Sequence, residues 1–288
     1  MHLLEKIKSF MQQPRHRKDA EKSLLKRFER IHGRPFNPSR IETFSEKLLQ
    51  RLLFVNKHGN KTFTMLADKY RARDYVTNKI GEKYLVNLIW SGKNPNKIPF
   101  HTLPEKCVIK TNHGSGGNII VNNNLNPKEV IEKTSTWLKK NYYWVANEYH
   151  YYKIPPRILI EDFLSDDSGS TPLDYRMWCF NGQPKLIQVD NHAHDINNFY
   201  DPDWNRLPVK YRKETREVEI PKPENIEEMI LVAKKLSEEF DFVRIDLYNL
   251  NGKVYFGEIT FTPVGGHLKF EPENWDLEIG KMWANKHN

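Results

Sequence analysis

The sequence predicts a mixed α/β (α+β) fold in which a helical N-terminal part precedes a series of short strands. Up to about residue 95, apolar residues recur three or four positions apart, which is the period of an amphipathic helix. From Lys106 onwards the pattern changes to short runs rich in β-branched and aromatic residues. One further helical run, from Pro223 to Phe240, interrupts these strands. At 288 residues the chain fits either one large α/β unit or two to three small lobes.

Two apolar stripes support the helical N-terminal part. Their members are Leu3, Leu4, Ile7 and Phe10, and then Leu48, Leu49, Leu52 and Leu53. Ser39 followed by Glu42 predicts a capping box that opens the second helix. The run from Leu3 to Met11, which has lysines between its apolar residues, is typical of a helix docked on the protein, and it also fits a helix lying on a membrane surface.

The strand-rich part contains a clear succession of elements. Strands are predicted at Cys107–Lys110, Asn118–Val121, Arg157–Ile160, Tyr175–Phe180 and Leu186–Val189. Asn181-Gly182, between the last two, predicts a tight hairpin turn. Pro223 is suited to the first turn of the helix that follows. A final hairpin is predicted to join Phe242–Leu247 to Lys253–Thr260.

Composition excludes several classes of protein. Aromatic residues make up 12% and charged residues 28% of the chain, whereas disordered chains combine few aromatics with a strong charge bias. Only Cys107 and Cys179 occur, so neither a disulfide framework nor a thiolate metal site is supported, and both are predicted core residues. The formal charge of +8 suits an anionic partner without choosing among nucleotide, acidic glycan, nucleic acid and anionic lipid. We expect a cytoplasmic location, because no apolar run is long enough to cross a bilayer and no signal-peptide segment opens the sequence.

The run from Val108 to Val121 predicts a strand, a glycine-rich turn and a second strand. Three of the four residues from Gly114 to Gly117 are glycines, and such a turn can fold over an anion with its N–H groups aimed at phosphate oxygens. Lys110, at the end of the first strand, adds a positive charge for the same phosphates. The arrangement differs from the strand–loop–helix of a P-loop. A plain hairpin loop is the alternative interpretation.

The final hairpin carries a pair of carboxylates, Asp246 and Glu258. Because side chains alternate along a strand, a two-residue turn at Asn251-Gly252 would place them on opposite faces. A three-residue loop with Gly252 in the left-handed conformation restores one face, and we expect that loop. Two carboxylates on neighbouring strands suit Mg²⁺ beside nucleotide phosphates. An exposed hairpin with two unrelated carboxylates is the alternative.

A third feature is the apolar run from Ile158 to Leu164, which ends in acidic residues. Its backbone groups could pair with the edge of an adenine ring. A core strand that runs into a loop explains the same residues.

Together, these features resemble the ATP-grasp superfamily in order and spacing from about Asp68 to the end of the chain. The resemblance implies that ATP is bound by Lys69, Lys110, His113, Gly114, Ser115, Gly116, Gly117, Glu161, Asp162, Phe163, Leu164 and Asp174. It implies Mg²⁺ or Mn²⁺ at Asp246 and Glu258, and it places Arg176 and Arg244 as candidate catalytic residues near the transferred phosphate. Thr260 stands where many members have asparagine, so it is a candidate metal residue, and the presence of a third direct ligand stays open.

The same resemblance implies an ATP-grasp fold of two α+β lobes that clasp ATP, with a helical N-terminal extension. Residues 1–95 are expected to form the helical region and the start of the lobe that precedes the ATP site. Residues 96–164 are expected to form the lid lobe with the glycine-rich loop. Residues 165–288 are expected to form the C-terminal lobe with the metal-binding hairpin.

Three phrases are similar to the branch of the superfamily named for teichuronopeptide biosynthesis. They are Asp174-Tyr175-Arg176 with Cys179 to Gly182, Asn198 to Trp204, and Gly257 to Pro263. That branch is associated with bacterial surface polysaccharide and implies an ATP-dependent carboxylate–amine ligase that works through an acylphosphate. The implied partners are a glycan or sugar carboxylate, such as a uronic acid, and an amine donor, with peripheral contact to membrane-bound polysaccharide machinery and no nucleic acid.

Other functions fit the same residues. A sugar kinase would use the same nucleotide site, and a glycosyltransferase, as the branch is often labelled, would consume a sugar nucleotide instead of ATP. A non-catalytic glycan- or lipid-binding protein is a further alternative. Asn191, His192 and His194 follow a strand near the expected site and are candidate substrate contacts, although exposed loop residues would look the same.

Overall fold

The computed structural model describes residues 17–121, 125–165, 169, 171–191, 193–211, 215–216 and 218–283. The helices of this part are α1 (Arg17–His32), α2 (Phe44–His58), α3 (Lys61–Ala67), α4 (Ala72–Ile80), α5 (Pro127–Leu138), α6 (Tyr143–Ala146), α7 (Ile226–Ser237) and α8 (Asn274–Met282). The strands are β1 (Leu88–Gly92), β2 (Cys107–Thr111), β3 (Asn118–Val121), β4 (Ile158–Asp162), β5 (Asp174–Phe180), β6 (Gln183–Asp190), β7 (Asn197–Tyr200), β8 (Arg206–Leu207), β9 (Phe242–Leu250) and β10 (Lys253–Thr260). The helix predicted at Leu3–Met11 falls outside the described residues.

Across the described part of the chain, the strands form two antiparallel sheets. The small sheet has the order β1-β4-β2-β3, and the large sheet has the order β10-β9-β5-β6-β7-β8. The predicted α+β class is therefore confirmed. β1 lies within the segment 1–95, yet it pairs with β4, so the small sheet also draws on the chain before residue 96. The three segment boundaries stay predictions.

All seven predicted strands are confirmed, and two of them, Asn118–Val121 and Lys253–Thr260, have the predicted bounds. Asn181 and Gly182 have φ angles of 50° and 74°, as the predicted hairpin turn requires. The sequence does not predict β1, β7, β8, α5 or α8. β7 opens with two asparagines, which are poor strand formers, and it is held by tertiary contacts such as the 2.6 Å hydrogen bond from Asn198 to the Val218 carbonyl.

Helix α2 begins one turn later than the sequence predicts. The capping box is formed by Thr43 and Glu46, so the predicted box of Ser39 and Glu42 is wrong. The Thr43 hydroxyl accepts a hydrogen bond from the Glu46 N–H (3.3 Å), and the Glu46 carboxylate accepts one from the Thr43 N–H (2.9 Å). Arg34 donates to the same carboxylate at 2.7 Å, so this cap also anchors the segment that follows α1.

One face of the large sheet has an aromatic half and a polar half. Because side chains alternate along β5, Trp178 and Phe180 share a face with Asp174 and Arg176. Trp178 and Phe180 are almost completely buried and pack against Phe44 of α2. The aromatic half thus fixes α2 on the sheet, while the polar half lines a cleft.

The opposite face of the large sheet packs on α7, and the small sheet packs on α5. Cys179 contributes to the first of these cores and Cys107 to the second, and both are fully buried, as predicted. Within the described residues, no helix combines the length and the apolar character that crossing a bilayer requires.

The corrected cap gives a stability prediction. Thr43→Ala should lower the free energy of unfolding by about 1 kcal/mol, because it leaves a helix N–H group without its acceptor. Ser39→Ala should change it by less than about 0.5 kcal/mol, because Ser39 is exposed and outside the cap. Urea titrations of the two variants compare the effects, and an equal loss in both would contradict the assignment.

Candidate functional site

The β9–β10 hairpin brings Asp246 and Glu258 directly opposite each other, but not by the expected loop. The turn is the two-residue Asn251-Gly252 pair with φ angles of 51° and 73°, so the predicted three-residue loop is wrong. Such a turn alone would put the two carboxylates on opposite faces. A β-bulge at Gly257 shifts the register after Phe256, and Glu258 therefore pairs with Asp246.

A glycine is required at this bulge because the strands approach closely. A Cβ atom at residue 257 would lie 3.0 Å from the carbonyl oxygen of Asp246 and 3.2 Å from Cε2 of Tyr248. Either contact is tighter than ordinary packing, so the neighbouring atoms would have to shift by a few tenths of an ångström. Gly257 therefore permits the register that aligns the carboxylates.

Arg244 holds both oxygens of Asp246. Its Nε and Nη2 atoms donate to Oδ1 and Oδ2 at 2.7 and 2.6 Å, and both side chains are buried. Nη2 also donates to Oγ1 of Thr260 at 3.3 Å and lies 3.7 Å from Oε1 of Glu258. Burial raises the pKa of Asp246, and the Arg244 guanidinium opposes that rise.

Glu258 is held by Lys69 and Thr260. Oε2 accepts a hydrogen bond from Lys69 Nζ at 2.9 Å, and Oε1 accepts one from the Thr260 hydroxyl at 3.1 Å. Burial alone would raise the pKa of Glu258, but Lys69 and Arg244 outweigh it and lower the pKa to about 2. Glu258 is therefore ionised at neutral pH, and Thr260 orients it.

Arg176 lies at the centre of a second group of carboxylates. It forms an ion pair with Asp190, donates to Asp174 at 3.0 Å, and has its Nε atom 3.9 Å from Asp246. In the described part of the chain, Nε of Arg176 is buried and has no hydrogen-bond partner. Burial lowers the pKa of Arg176, but the surrounding carboxylates outweigh it and raise the pKa above its usual value.

The polar half of the sheet, together with Lys69 from the segment before α4, thus contains four carboxylates and three cations. The carboxylates belong to Asp174, Asp190, Asp246 and Glu258, and the cations to Arg176, Arg244 and Lys69. With all groups ionised, this cluster has one net negative charge. An added cation is therefore favoured here.

These donors fit Mg²⁺ or Mn²⁺. In the described residues, no group of three or more His, Cys, Asp or Glu side chains is arranged as a metal site. Asp246 and Glu258 are a directly opposed pair of carboxylates, and an ion there would replace their present contacts with Arg244 and Lys69. Mg²⁺ usually takes one or two protein carboxylates and completes its shell with water and phosphate oxygens. The Thr260 hydroxyl bonds to Glu258, so its present contact orients that carboxylate.

Lys69 and the glycine-rich turn are fixed to each other. Lys69 Nζ donates to the Gly114 carbonyl at 3.1 Å, and the Lys69 N–H donates to the Asn112 carbonyl at 3.1 Å. The Asn112 side chain in turn donates to Asp68 at 2.8 Å. The turn therefore connects the segment before α4 to the small sheet.

His113 is turned away from the cleft. Its side chain is buried, with Nδ1 3.2 Å from Oδ1 of Asn112 and Nε2 3.1 Å from the Lys140 carbonyl oxygen. Burial lowers the pKa of His113. It lies at the base of the turn, whereas Gly114, Ser115, Gly116 and Gly117 line the cleft.

On the small sheet, Lys110 and Glu161 project from neighbouring strands into the same space. They form an ion pair, and Arg73 of α4 also donates to Glu161 at 3.3 Å. Lys110 of β2 pairs in register with Leu159, two residues before Glu161 on β4, so alternation puts both charged groups on the cleft face.

The cleft between the sheets has a larger part of about 520 Å³ and a smaller part of about 160 Å³. The larger part is lined by Glu161, Asp162, Phe163 and Leu164, and the smaller by Lys69, Arg176, Asp246 and Glu258. Both parts share Lys110, Ser115, Gly116, Asn118, Asp174, Tyr248 and Gly257. The larger part also contains apolar side chains such as Val86, Ile120 and Phe256, so one continuous cleft joins an end with an apolar wall to the carboxylate cluster.

The candidate substrate contacts differ in position. His194 is half exposed, lines the larger part of the cleft, and has Nδ1 3.2 Å from both carboxylate oxygens of Asp190. Asn191 donates to Asp195 at 2.7 Å and stabilises the loop without lining the cleft. His192 lies outside the described residues.

Sequence reasoning missed three residues near this cluster: Asp190, Tyr248 and Glu148. Asp190 ends β6, and an acidic residue at the end of an apolar strand was the available signal. Tyr248 lines both parts of the cleft. Glu148 is buried and accepts a hydrogen bond from Thr262, two residues after Thr260, and no local pattern in the sequence indicates this contact.

Comparison with known proteins gives a family match. The model of a family described as TupA-like ATPgrasp matches residues 46–284. No curated protein matches the chain.

Several solved structures are similar to the chain. The D-alanine–D-alanine ligase from Bacillus anthracis complexed with ATP is 14% identical, with a TM-score of 0.43 over 79% of this chain and 64% of that one. The D-alanine–D-alanine ligase from Helicobacter pylori is 17% identical, with a TM-score of 0.45 over 77% and 62%. The ATP-grasp ligase PsnB complexed with a phosphomimetic precursor variant, Mg and ADP is 12% identical, with a TM-score of 0.40 over 77% and 59%. The chain spans less than two thirds of the length of each.

Glu148 gives a pH prediction. Burial raises its pKa to about 7, although Thr262 and Arg27 oppose the rise. Between about pH 4.5 and pH 7 the folded carboxyl keeps a proton that the unfolded chain has released, so this group makes the free energy of unfolding fall as pH rises. The Glu148→Gln side chain cannot titrate. The difference in free energy of unfolding, variant minus unsubstituted protein, should therefore increase by up to roughly 3 kcal/mol between about pH 4 and pH 8.

Urea titrations at the two pH values measure this difference. Glu132→Gln, at an exposed glutamate of α5, is the control and should show no such change. A Glu148→Gln difference that is the same at both pH values would contradict a raised pKa.

Proposed function

Because its residues 46–284 match the family model, this chain belongs to the TupA-like ATP-grasp family, and we propose that it is an ATP-dependent carboxylate–amine ligase. The observation that carries this proposal is the continuous cleft that joins an apolar end to the opposed carboxylates Asp246 and Glu258. A nucleotide needs both environments, one for its base and one for its charged phosphates.

We infer that the adenine lies in the larger part of the cleft, beside Phe163 and Leu164. The glycine-rich turn would cover the phosphates, and its N–H groups would meet their oxygens. Lys69 and Lys110 would contact the nonterminal phosphates, since each already lies beside a carboxylate at the cleft. Each lysine can exchange that carboxylate for a phosphate oxygen without a change of charge environment.

Asp246 and Glu258 would hold Mg²⁺ or Mn²⁺, which supplies charge neutralisation between the phosphates when it is bound. Arg244 and Lys69 now hold these two carboxylates. Arg176 or Arg244 would stabilise the negative charge that develops on the transferred phosphoryl group.

The proposed reaction has two steps. A carboxylate oxygen of the acceptor attacks the γ-phosphorus of ATP, the bond to the bridging oxygen breaks, and ADP leaves. The amine nitrogen then attacks the acyl carbon, inorganic phosphate leaves, and the nitrogen loses a proton. The protein positions the reactants and neutralises charge, and it needs no covalent nucleophile.

We further propose that the acceptor is a uronic acid or another glycan carboxylate and the donor an amino acid, in the biosynthesis of a bacterial surface polysaccharide. Three sequence phrases similar to the teichuronopeptide branch support this part. The proposal includes a cytoplasmic site of action, with peripheral contact to membrane-bound machinery, and no nucleic-acid partner.

The experiment is nucleotide turnover by the purified protein with Mg²⁺, ATP, glucuronic acid-containing glycans and pooled amino acids. ADP and phosphate release that requires both an acid and an amine is expected. Glu258→Gln keeps the side-chain shape but removes the charge, so release should fall by at least about 100-fold. Glu224→Gln, at an exposed glutamate before α7, is the matched control and should keep full activity.

Other outcomes decide against the ligase. ADP release that needs no amine and yields a phosphorylated sugar would indicate a kinase. Turnover of a sugar nucleotide without ATP would indicate a glycosyltransferase. Absence of ATP binding would contradict the nucleotide site itself.

A further inference from the structure

A second groove of about 660 Å³ lies between α1 and the chain around α6. One wall is formed by basic residues of α1, and the other includes Trp144, Val145, Asn147 and His267. We call it the α1 groove. Helix α1 precedes residues 46–284, the part that the family model matches, so the basic wall is not part of that match.

Three cations of the wall repeat along one face of α1. Lys22, Lys26 and Arg30 are four residues apart, all three are exposed, and all line the groove. Like charges four apart destabilise a helix. Among the described residues, no carboxylate lies within 4.0 Å of their nitrogens. Asp19 is the one acidic residue of the lining, so the groove is strongly positive.

A fourth cation, Arg27, fixes the floor of the groove. Its Nη1 atom donates to the carbonyl oxygens of Ala146 and Gly265, each at 2.9 Å. Nη2 donates to Oδ1 of Asn147 at 3.4 Å. The nitrogen of that amide, Nδ2, is buried and has no hydrogen-bond partner in the described part of the chain. Asn147 as a whole is only 3% exposed. Arg27 therefore ties α1 to the two chain segments that form the floor of the groove.

The opposite wall is apolar. Trp144 is half-buried, and Val145 is 52% exposed although it is a large apolar residue. Pockets that combine an aromatic wall with a few polar groups are typical of small-molecule sites. A pyranose ring has an apolar face for such a wall, and its carboxylates or phosphates suit the cations opposite.

The groove is close to the carboxylate cluster along the chain. Gly265, whose carbonyl Arg27 holds, is seven residues after Glu258, so the two positions are at most about 25 Å apart. Between them lies Thr262, which donates to the buried Glu148, and Glu148 follows Asn147 of the groove. The segment from Glu258 to Gly265 therefore contributes to both the carboxylate cluster and the floor of the groove.

We propose that the α1 groove binds an anionic oligosaccharide, with Lys22, Lys26, Arg27 and Arg30 facing its acidic groups and Trp144 packing on a sugar ring. Its use as the acceptor subsite rests on the proposed ligase function, whereas binding of the oligosaccharide does not. The groove then holds the acceptor chain while one terminal carboxylate reaches the nucleotide.

The test uses the full chain and isothermal titration with tetragalacturonate, an oligosaccharide of four uronic acids, and with neutral maltotetraose. Tetragalacturonate should bind and maltotetraose should not. The combined variant Lys22→Ala, Lys26→Ala and Arg30→Ala should lower the affinity at least about tenfold, because three groove cations are lost at exposed positions where folding is unaffected. The control variant Lys93→Ala, Lys97→Ala and Lys106→Ala removes the same charge from exposed positions elsewhere and should stay within about twofold of the original protein.

Three results would overturn the groove assignment. They are unchanged affinity in the α1 variant, an equal loss in the control variant, and binding only to phosphatidylglycerol vesicles, which would make the basic wall a membrane contact. MgATP binding, measured in the same samples, separates this proposal from the ligase. If oligosaccharide binding is absent but MgATP binds, the groove assignment fails and the nucleotide site is unaffected. If the oligosaccharide binds but MgATP does not, the groove assignment holds and the ligase proposal fails.

Discussion

The alignment of Asp246 with Glu258 depends on one extra residue in β10, and the candidate site depends on that alignment. The turn at Asn251-Gly252 would by itself turn one carboxylate to the far face of the sheet. The bulge at Gly257 returns both carboxylates to one face, and a Cβ atom at this position would be in tight contact with Asp246 and Tyr248. Arg244 and Lys69 then meet carboxylates on a single surface.

The surrounding structure keeps that surface rigid and charged. The same sheet face that carries the carboxylates is anchored at its other end by Trp178 and Phe180 against α2. Buried carboxylates are unfavourable unless they are paired, and here Arg176 and Arg244 pair with them. With all groups ionised, the four carboxylates of the cluster outnumber its three cations by one.

Sequence reasoning reached the parts of this site that local patterns encode. The glycine-rich turn and Lys110 follow from glycine content and the strand pattern, and the hairpin at Asn181-Gly182 follows from its turn residues. The two carboxylates were expected on one face, but through a three-residue loop that the hairpin does not have. The bulge was missed, although an isolated glycine inside a strand, here Gly257, is a known signal for one. The cap at Thr43 was missed because two consecutive stretches, Ser39–Glu42 and Thr43–Glu46, fit the same pattern. Contacts between distant segments, such as Glu148 with Thr262 and β1 with β4, depend on the tertiary fold, which one sequence does not encode locally.

The most direct test of the account is a crystal structure of the protein with Mn²⁺ and a non-hydrolysable ATP analogue, examined for anomalous scattering from manganese. The account predicts a manganese peak bound by Asp246 and Glu258, with the analogue's phosphates beneath the turn at Gly114–Gly117 and its adenine beside Phe163. An analogue bound elsewhere, or an Asp246–Glu258 pair that holds no manganese while the phosphates are in place, would contradict it.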